Sequence, residues 1–207
     1  WAGVDPDNGN PLWYMDEVDA NDNPTGKRVT TSDYASANYY YVNKSSLPKV
    51  YGGFNTSLSW KGFDLSAIFA YSIGGYIYNR DITMILHNGS LEGRDWSTEI
   101  LRRWTPENRY TDVPALSTTS NNWNSASTRF LQNNSYMRLK NLTLSYNLPK
   151  QLISKLALSS VQVFVQGDNL FTIHRNQGLD PEQGITGITY YRYPAMRTIS
   201  GGINLSF

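Results

Sequence analysis

The chain has 207 residues, with 18 Lys+Arg against 17 Asp+Glu and a formal net charge of +1. That balance lacks the clustered basic charge a nucleic-acid partner needs, and the absence of cysteine excludes disulfide frameworks, thiolate metal sites and Cys nucleophiles. Mean hydropathy is −0.47 and the apolar runs are a few residues long, far short of the roughly 18 that mark a spanning helix; strands that cross a membrane alternate polarity and escape such a count.

The first stretch, about 1–46, is rich in Asn, Asp, Gly and Tyr and reads as a loop region with a small hairpin between Leu12–Met15 and Arg28–Thr31. Its start at Trp1, with neither initiator Met nor export signal, gives the expectation of a portion of a longer chain whose signal lies upstream. Asp5, Asp7 and Asn10 offer oxygen ligands, but an EF-hand loop needs Gly at position 6 and a bidentate Glu at position 12. Asn10 and Asp16 stand there instead, so a turn is expected, with no metal site and no cofactor. Tyr39, Tyr40 and Tyr41, with Trp123 and Tyr190–Tyr191, are aromatics in loop segments. Stacking on sugar rings, contact with a partner protein, and packing among themselves all remain open for them.

Period-two alternation then marks a first strand at about 49–60, with Val50, Phe54, Leu58 and Trp60 on one side and Tyr51, Asn55, Ser57 and Ser59 on the other. Lys61-Gly62 makes a two-residue hairpin turn. The second strand, about 63–73, sets Phe63, Leu65, Ala67, Phe69, Tyr71 and Ile73 against Asp64, Ser66 and Ser72, with Ile68 and Ala70 blurring the second face. The long stretch 74–134 contains Trp96, Ile100, Leu101 and Trp104 at helical spacing, which predicts one short helix within Asp95–Trp104 ended by Thr105-Pro106. The two histidines, His87 and His174, fall in predicted loops. With no Gly-x-Ser-x-Gly elbow, a Ser-His-Asp arrangement has nothing to build on; both are expected to be solvated, and no enzyme is predicted.

A third strand, about 135–148, opposes Leu142, Leu144, Tyr146 and Leu148 to Asn141, Thr143, Ser145 and Asn147. A fourth, about 160–170, sets Val161, Val163 and Val165 against Gln162, Gln166 and Asp168, with Phe164 as the misfit. The fifth, about 195–207, carries Ile199, Ile203, Leu205 and Phe207 on its apolar side. Arg138, Lys140 and Arg197 share the parity of the apolar residues. A cationic side chain there costs ~2–4 kcal/mol at mid-membrane but ~0–1 near the interface. They therefore either stand at an outer rim facing lipopolysaccharide phosphates, or a bulge turns Arg138 inward with Met137 and Leu139 outward.

A soluble sandwich also alternates, but these strands match the roughly 9–11 residues of a tilted membrane crossing rather than the usual five or six. Their polar faces are Ser, Thr, Asn and Gln, as in a wet lumen. The predicted fold is all-β: a transmembrane antiparallel β-barrel with long extracellular loops at about 1–46, 74–134 and 171–194 and short periplasmic turns at Lys61-Gly62 and 149–158. Trp60, Phe63, Tyr146 and Phe207 fall at the periplasmic ends, where aromatic girdles form. Five strands cannot close a barrel and open edges in lipid leave backbone groups unsatisfied, so other polypeptide must complete the ring.

Several ordered segments resemble one family. They are AGVDPDNG (Ala2–Gly9), LPKVYGGFNTSLSWKGFDLSAIF (Leu47–Phe69), RWTPEN (Arg103–Asn108), SYMRLKNLTLSYNLPKQLI (Ser135–Ile153), VQGDNLFTI (Val165–Ile173), GLDPE (Gly178–Glu182) and YPAMRTISGGINLSF (Tyr193–Phe207). Each is weak alone; as an ordered set they are similar to the SusC/RagA TonB-dependent transporters of Bacteroidota outer membranes. The resemblance implies the C-terminal five or so strands of a barrel of about 22 strands with an internal plug. It implies TonB-driven import of an oligosaccharide or peptide across the Gram-negative outer membrane, together with a SusD-like surface lipoprotein, and with outer-membrane lipid and lipopolysaccharide around it. The TonB-contacting segment and the plug would lie outside this chain. Ile203, Leu205 and Phe207 resemble the terminal signal read by the barrel-assembly machinery. A passive porin or small barrel remains the alternative, and the imported nutrient is not readable.

Overall fold

A computed structural model of the chain describes all residues except 90–92, 118, 120–121, 155–157, 179, 183 and 190. It divides into two compact units. One comprises Lys44–Ile77, Gln132–Gly187 and Arg192–Phe207; the other comprises Trp1–Asn43, Tyr78–Leu131 and Ile188–Tyr191. Among the described residues no helix is long and apolar enough to cross a membrane.

In the loop-rich unit, β1 (Gly3–Val4), β2 (Pro11–Val18) and β3 (Pro24–Thr31) form an antiparallel sheet in the order β1-β2-β3. The β2–β3 register pairs Trp13 with Thr31 and Asp16 with Arg28. Trp13 turns inward at 3% exposure and meets Trp1 and Tyr34 edge-on. A second cluster buries Leu86, Ile100, Val113, Trp123 and Phe130, with Tyr78 and Ile82 packed against it. Helix α1 (Arg80–Ile85) feeds this core, its first turn capped by the Asn79 side chain accepting from the Ile82 amide.

The predicted helix within Asp95–Trp104 is a single 3₁₀ segment, Thr98–Arg102. Its spacing promised one apolar face, but the two tryptophans take partners of their own. The Trp96 indole donates to His87 Nδ1 at 3.1 Å and Trp104 donates to the Pro6 carbonyl. Only Ile100 enters the core, while Leu101 stays 75% exposed.

The sheet unit holds β4 (Val50–Trp60), β5 (Phe63–Ile73), β8 (Tyr136–Asn147), β9 (Ser160–His174) and β10 (Thr198–Ser206), all antiparallel in the order β10-β9-β8-β5-β4. Two three-residue strands, β6 (Tyr76–Tyr78) and β7 (Leu131–Asn133), lie on the segment between β5 and β8. The β4–β5 register runs unbroken from Val50↔Ile73 to Trp60↔Phe63. Lys61 (φ 47) and Gly62 (φ 88) both take the left-handed conformation that a tight hairpin with matching twist requires. A short helix, α2 (Lys150–Ile153), follows β8 and buries Ile153; the remainder of the predicted turn 149–158 includes 155–157, outside the described residues.

One irregularity crosses the sheet. Ile68 pairs with Asn141 but Phe69 with Leu139, leaving Lys140 as an extra residue in β8. On the other side Leu139 pairs with Phe171 and Asn141 with Asp168, so Asn169 and Leu170 face Lys140, and Asn169 takes φ 53. Such a bulge reverses which residues face which side beyond it. Past it β9 continues to His174.

Candidate functional site

The sheet's two faces are chemically opposite. Registers place Phe54, Leu58 and Trp60, Phe63 and Leu65, Leu142 and Leu144, Val163 and Val165, and Ile199, Ile203 and Leu205 on one side. Much of that side lies open among the described residues: Phe54, Leu58, Leu144, Val163 and Ile203 are 43–67% exposed, while Ala67, Leu139 and Val161 on it are buried. Among the described residues no second sheet packs on it, so these five residues lack the shared dry interior that a sandwich requires. At its lower edge the rings of Phe63 and Tyr146 pack at 4.5 Å between centroids, and Lys61 Nζ lies over Trp60. Leu205 is half-exposed and Phe207 lies at 92% exposure beyond the end of β10.

The opposite side is a hydrogen-bonded polar face. Asn147 Nδ2 donates to Asp64 at 2.7 Å, and Ser59 donates to the same carboxylate. Asn204 donates to Gln162, which donates to Ser145. Thr143 donates to Asn141, whose amide donates to Asp168 at 2.8 Å; Gln166 reaches Asp168 as well. Phe164, the misfit of the sequence pattern, lies on this polar side. Its ring fits there because it covers Gly202, where a Cβ would stand 2.9 Å from ring atoms.

Arg138 is the charged centre of this face, and of the two orientations open to it, outer rim or inward, the inward one is found. The Lys140 bulge turns it inward, with Met137 and Leu139 aligned with the outward residues Tyr71 and Phe69. The guanidinium is 3% exposed and ion-pairs with Asp180 and, at 2.8 Å, with Glu182. Its Nε also donates to Thr172. Lys140 Nζ joins the cluster at 2.6 Å from Glu182. Neither cation stands at an outer lipid-facing rim, whereas Arg197, just before β10, is exposed. The carboxylates belong to the segment after β9, which is pinned further by Asn134 donating to the Pro181 carbonyl and Ser46 to that of Ile185. Burial pushes the Asp180 carboxyl up, but the amides of Ala195 and Glu182 and the Arg138 guanidinium outweigh it, and the net shift is down. Sequence parity points at Arg138; its partners, 42 and 44 residues away, give no signal of their own.

In the loop-rich unit, His87 is buried at 1% rather than solvated. Its Nδ1 accepts from the Trp96 indole and the Gly89 amide, and burial, aided by the Arg94 charge, lowers its pKa. His174 is exposed at the end of β9, with Nδ1 3.0 Å from the Asn176 carbonyl. Asp5 spends its carboxylate on the Asp7 amide and the Asn8 side chain, while Asp7 pairs with Arg109. Among the described residues no cluster of His, Cys, Asp or Glu is arranged to hold a metal.

The tyrosine run divides. Tyr39 and Tyr41 are 96% and 91% exposed, whereas Tyr40 donates to Asp16 and lies under the Arg28 guanidinium. Tyr39 and Tyr40 border a cleft of about 550 Å³ whose lining also includes Trp13, Tyr14, Arg28 and Tyr34. Trp123, grouped with them by sequence, is a core residue at 1% exposure and is closed to any ligand. Tyr191 is exposed at 71%; Tyr190 lies outside the described residues.

No protein-family model matches the chain. It is 34% identical over 166 residues to TonB-dependent receptor P3 of Formosa agariphila, covering 75% of this chain and 16% of that protein. It is 30% identical over 204 residues to TonB-dependent receptor SusC of Bacteroides thetaiotaomicron, covering 97% of this chain and 18% of that receptor. A solved structure of the RagAB peptide importer in its closed-closed state superposes with a TM-score of 0.80 and 36% identity, over 100% of this chain and 22% of the importer chain. This chain thus spans about a fifth or less of the relatives it matches.

Proposed function

We propose, from the premise that this chain belongs to the SusC/RagA-type TonB-dependent receptors, that its sheet is part of the wall of a nutrient-importing outer-membrane barrel. The observation that carries this is the bare apolar face opposite a bonded polar one. Phe63 to Ile73 is ten steps along β5. At ~3.3 Å each and a tilt of ~40°, that spans about 25 Å, the height of the apolar band of an outer-membrane barrel. The apolar side chains meet acyl chains, and the Ser, Asn and Gln face meets water inside. Polypeptide outside this chain completes the ring and supplies the plug.

In this reading the segments 1–46, 74–134 and 171–194 are extracellular and the Lys61-Gly62 turn is periplasmic. The transporter imports an oligosaccharide or peptide, coupled to TonB through a part of the protein beyond this chain, beneath a SusD-like lipoprotein. SusC and the RagAB peptide importer among the relatives support that direction. Ile203, Leu205 and Phe207 serve assembly rather than transport.

The test is alternation. Single fluorophores at Leu144 and Thr143 of the full-length protein in vesicles should behave oppositely: brominated lipid quenches the first, aqueous iodide the second. Equal quenching by iodide at both positions overturns the lipid-facing assignment. Growth of the host on oligosaccharides or peptides should further require TonB; uptake that persists without TonB makes the barrel a passive pore.

A further inference from the structure

The upper end of the apolar face carries a shallow, open depression. Between the ends of β5, β8 and β9 lies a groove of about 450 Å³ bordered by Tyr71, Ile73, Met137 and Ile173, with His174 and Arg175 at its rim. Ile73 and Ile173 are 52% and 64% exposed, and Ile173 pairs with Met137 in register. None of the residues lining the groove is acidic. Arg175 is exposed just past the last residue of β9 and makes no ion pair among the described residues.

We propose that this groove seats one acyl chain of a phosphorylated outer-leaflet lipid, lipid A, with Arg175 holding its phosphate. The inference rests on the lipid-facing assignment of the sheet. The groove is continuous with that apolar band, so an acyl chain is the occupant its position dictates. Charge sets the headgroup: at the level where the apolar band ends, the lining of the groove includes Arg175 and no carboxylate. Of the three cations that parity nominates for this task, Arg138 and Lys140 are turned inward and neutralised by Asp180 and Glu182, and Arg197 does not line the groove. Arg175 is the basic residue that the fold leaves beside the groove. A guanidinium suits a phosphate because its fork of N–H donors matches two oxygens at once.

Mass spectrometry of lipid A retained by the full-length transporter, purified in mild detergent from outer membranes, tests the assignment. Arg175→Gln should lower retained lipid A about fivefold, the effect of removing one cation at a membrane surface. Met137→Trp, which fills the groove, should lower it as well, with phosphatidylglycerol unchanged in both variants. Wild-type lipid A on Arg175→Gln, in protein that still shows folded-barrel mobility on gels, overturns the proposal. So does an equal loss of phosphatidylglycerol, since the site would then read charge alone. The Leu144/Thr143 quenching pattern separates the two levels: alternation with unchanged lipid A sinks only the groove, and lost alternation sinks the lipid-facing assignment beneath it.

Discussion

Two tryptophans of this chain stand in opposite surroundings. Trp123, in the loop-rich unit, is 1% exposed within a core of Leu86, Ile100, Val113 and Phe130. Trp60, at the edge of the sheet, is 63% exposed. The loop-rich unit is built as any water-soluble structure is built, with apolar side chains gathered where water cannot reach. The sheet reverses this: its bare side is apolar and its polar side is the one knitted together by hydrogen bonds. Under the proposed lipid-facing assignment one polypeptide meets two solvents, and the boundary is drawn residue by residue rather than by overall hydropathy.

Truncation separates the regions most strongly. Trp123→Ala opens a cavity in a packed core and should cost about 3–5 kcal/mol, seen as lost hydrogen-exchange protection across α1 and the 98–102 turn. Trp60→Ala should leave the β4–β5 ladder protected. Equal losses at the two positions would mean that the apolar face is covered after all. Charge insertion comes next. Leu142→Arg, on the outward side and well inside the apolar band, should destabilise the barrel by ~2–4 kcal/mol, against ~0–1 for Leu205→Arg at its rim. Refolding midpoints in lipid vesicles measure both, and a depth-independent cost would remove lipid from the explanation.

The sequence displays the alternation well because parity survives along any unbroken strand. Registers from Val50↔Ile73 to Trp60↔Phe63 follow directly from it once Lys61-Gly62 is recognised as the turn. Parity fails at a single inserted residue. Lys140 carries no mark of being extra, yet everything from Tyr136 to Leu139 changes side because of it. Asn169, a residue tolerant of positive φ, is the faint hint. Arg138 is legible as an anomaly and illegible as an ion-pair centre, since Asp180 and Glu182 sit in a loop that no periodicity describes. The loop-rich unit hides more. His87 looks solvated among polar neighbours, and Trp96 and Trp104 mimic a helical face while each donates elsewhere. Loop packing of this kind depends on long-range contacts, and composition does not encode them.

The weakest perturbation, acid, sharpens the contrast further because the two units titrate in different windows. His87 has a lowered pKa, caused first by burial and then by Arg94. Its neutral form is the one that the folded unit favours. The contribution to stability is complete above the unfolded value of about 6.5 and is lost as pH falls from there through the folded value. Asp180 also has a lowered pKa, but for a carboxyl this favours the charged form. Its contribution is complete above about pH 4 and disappears only as pH falls through a still lower folded value. Between about pH 6 and 4.5, hydrogen-exchange protection should therefore decline around residues 82–89 while the segment 180–187 stays anchored to Arg138. His87→Gln should abolish the early decline, because no imidazole remains to be charged. Release of 180–187 first, or at the same pH, would show that the Arg138 ion pairs are solvent-screened and that the polar face is not a protected lumen.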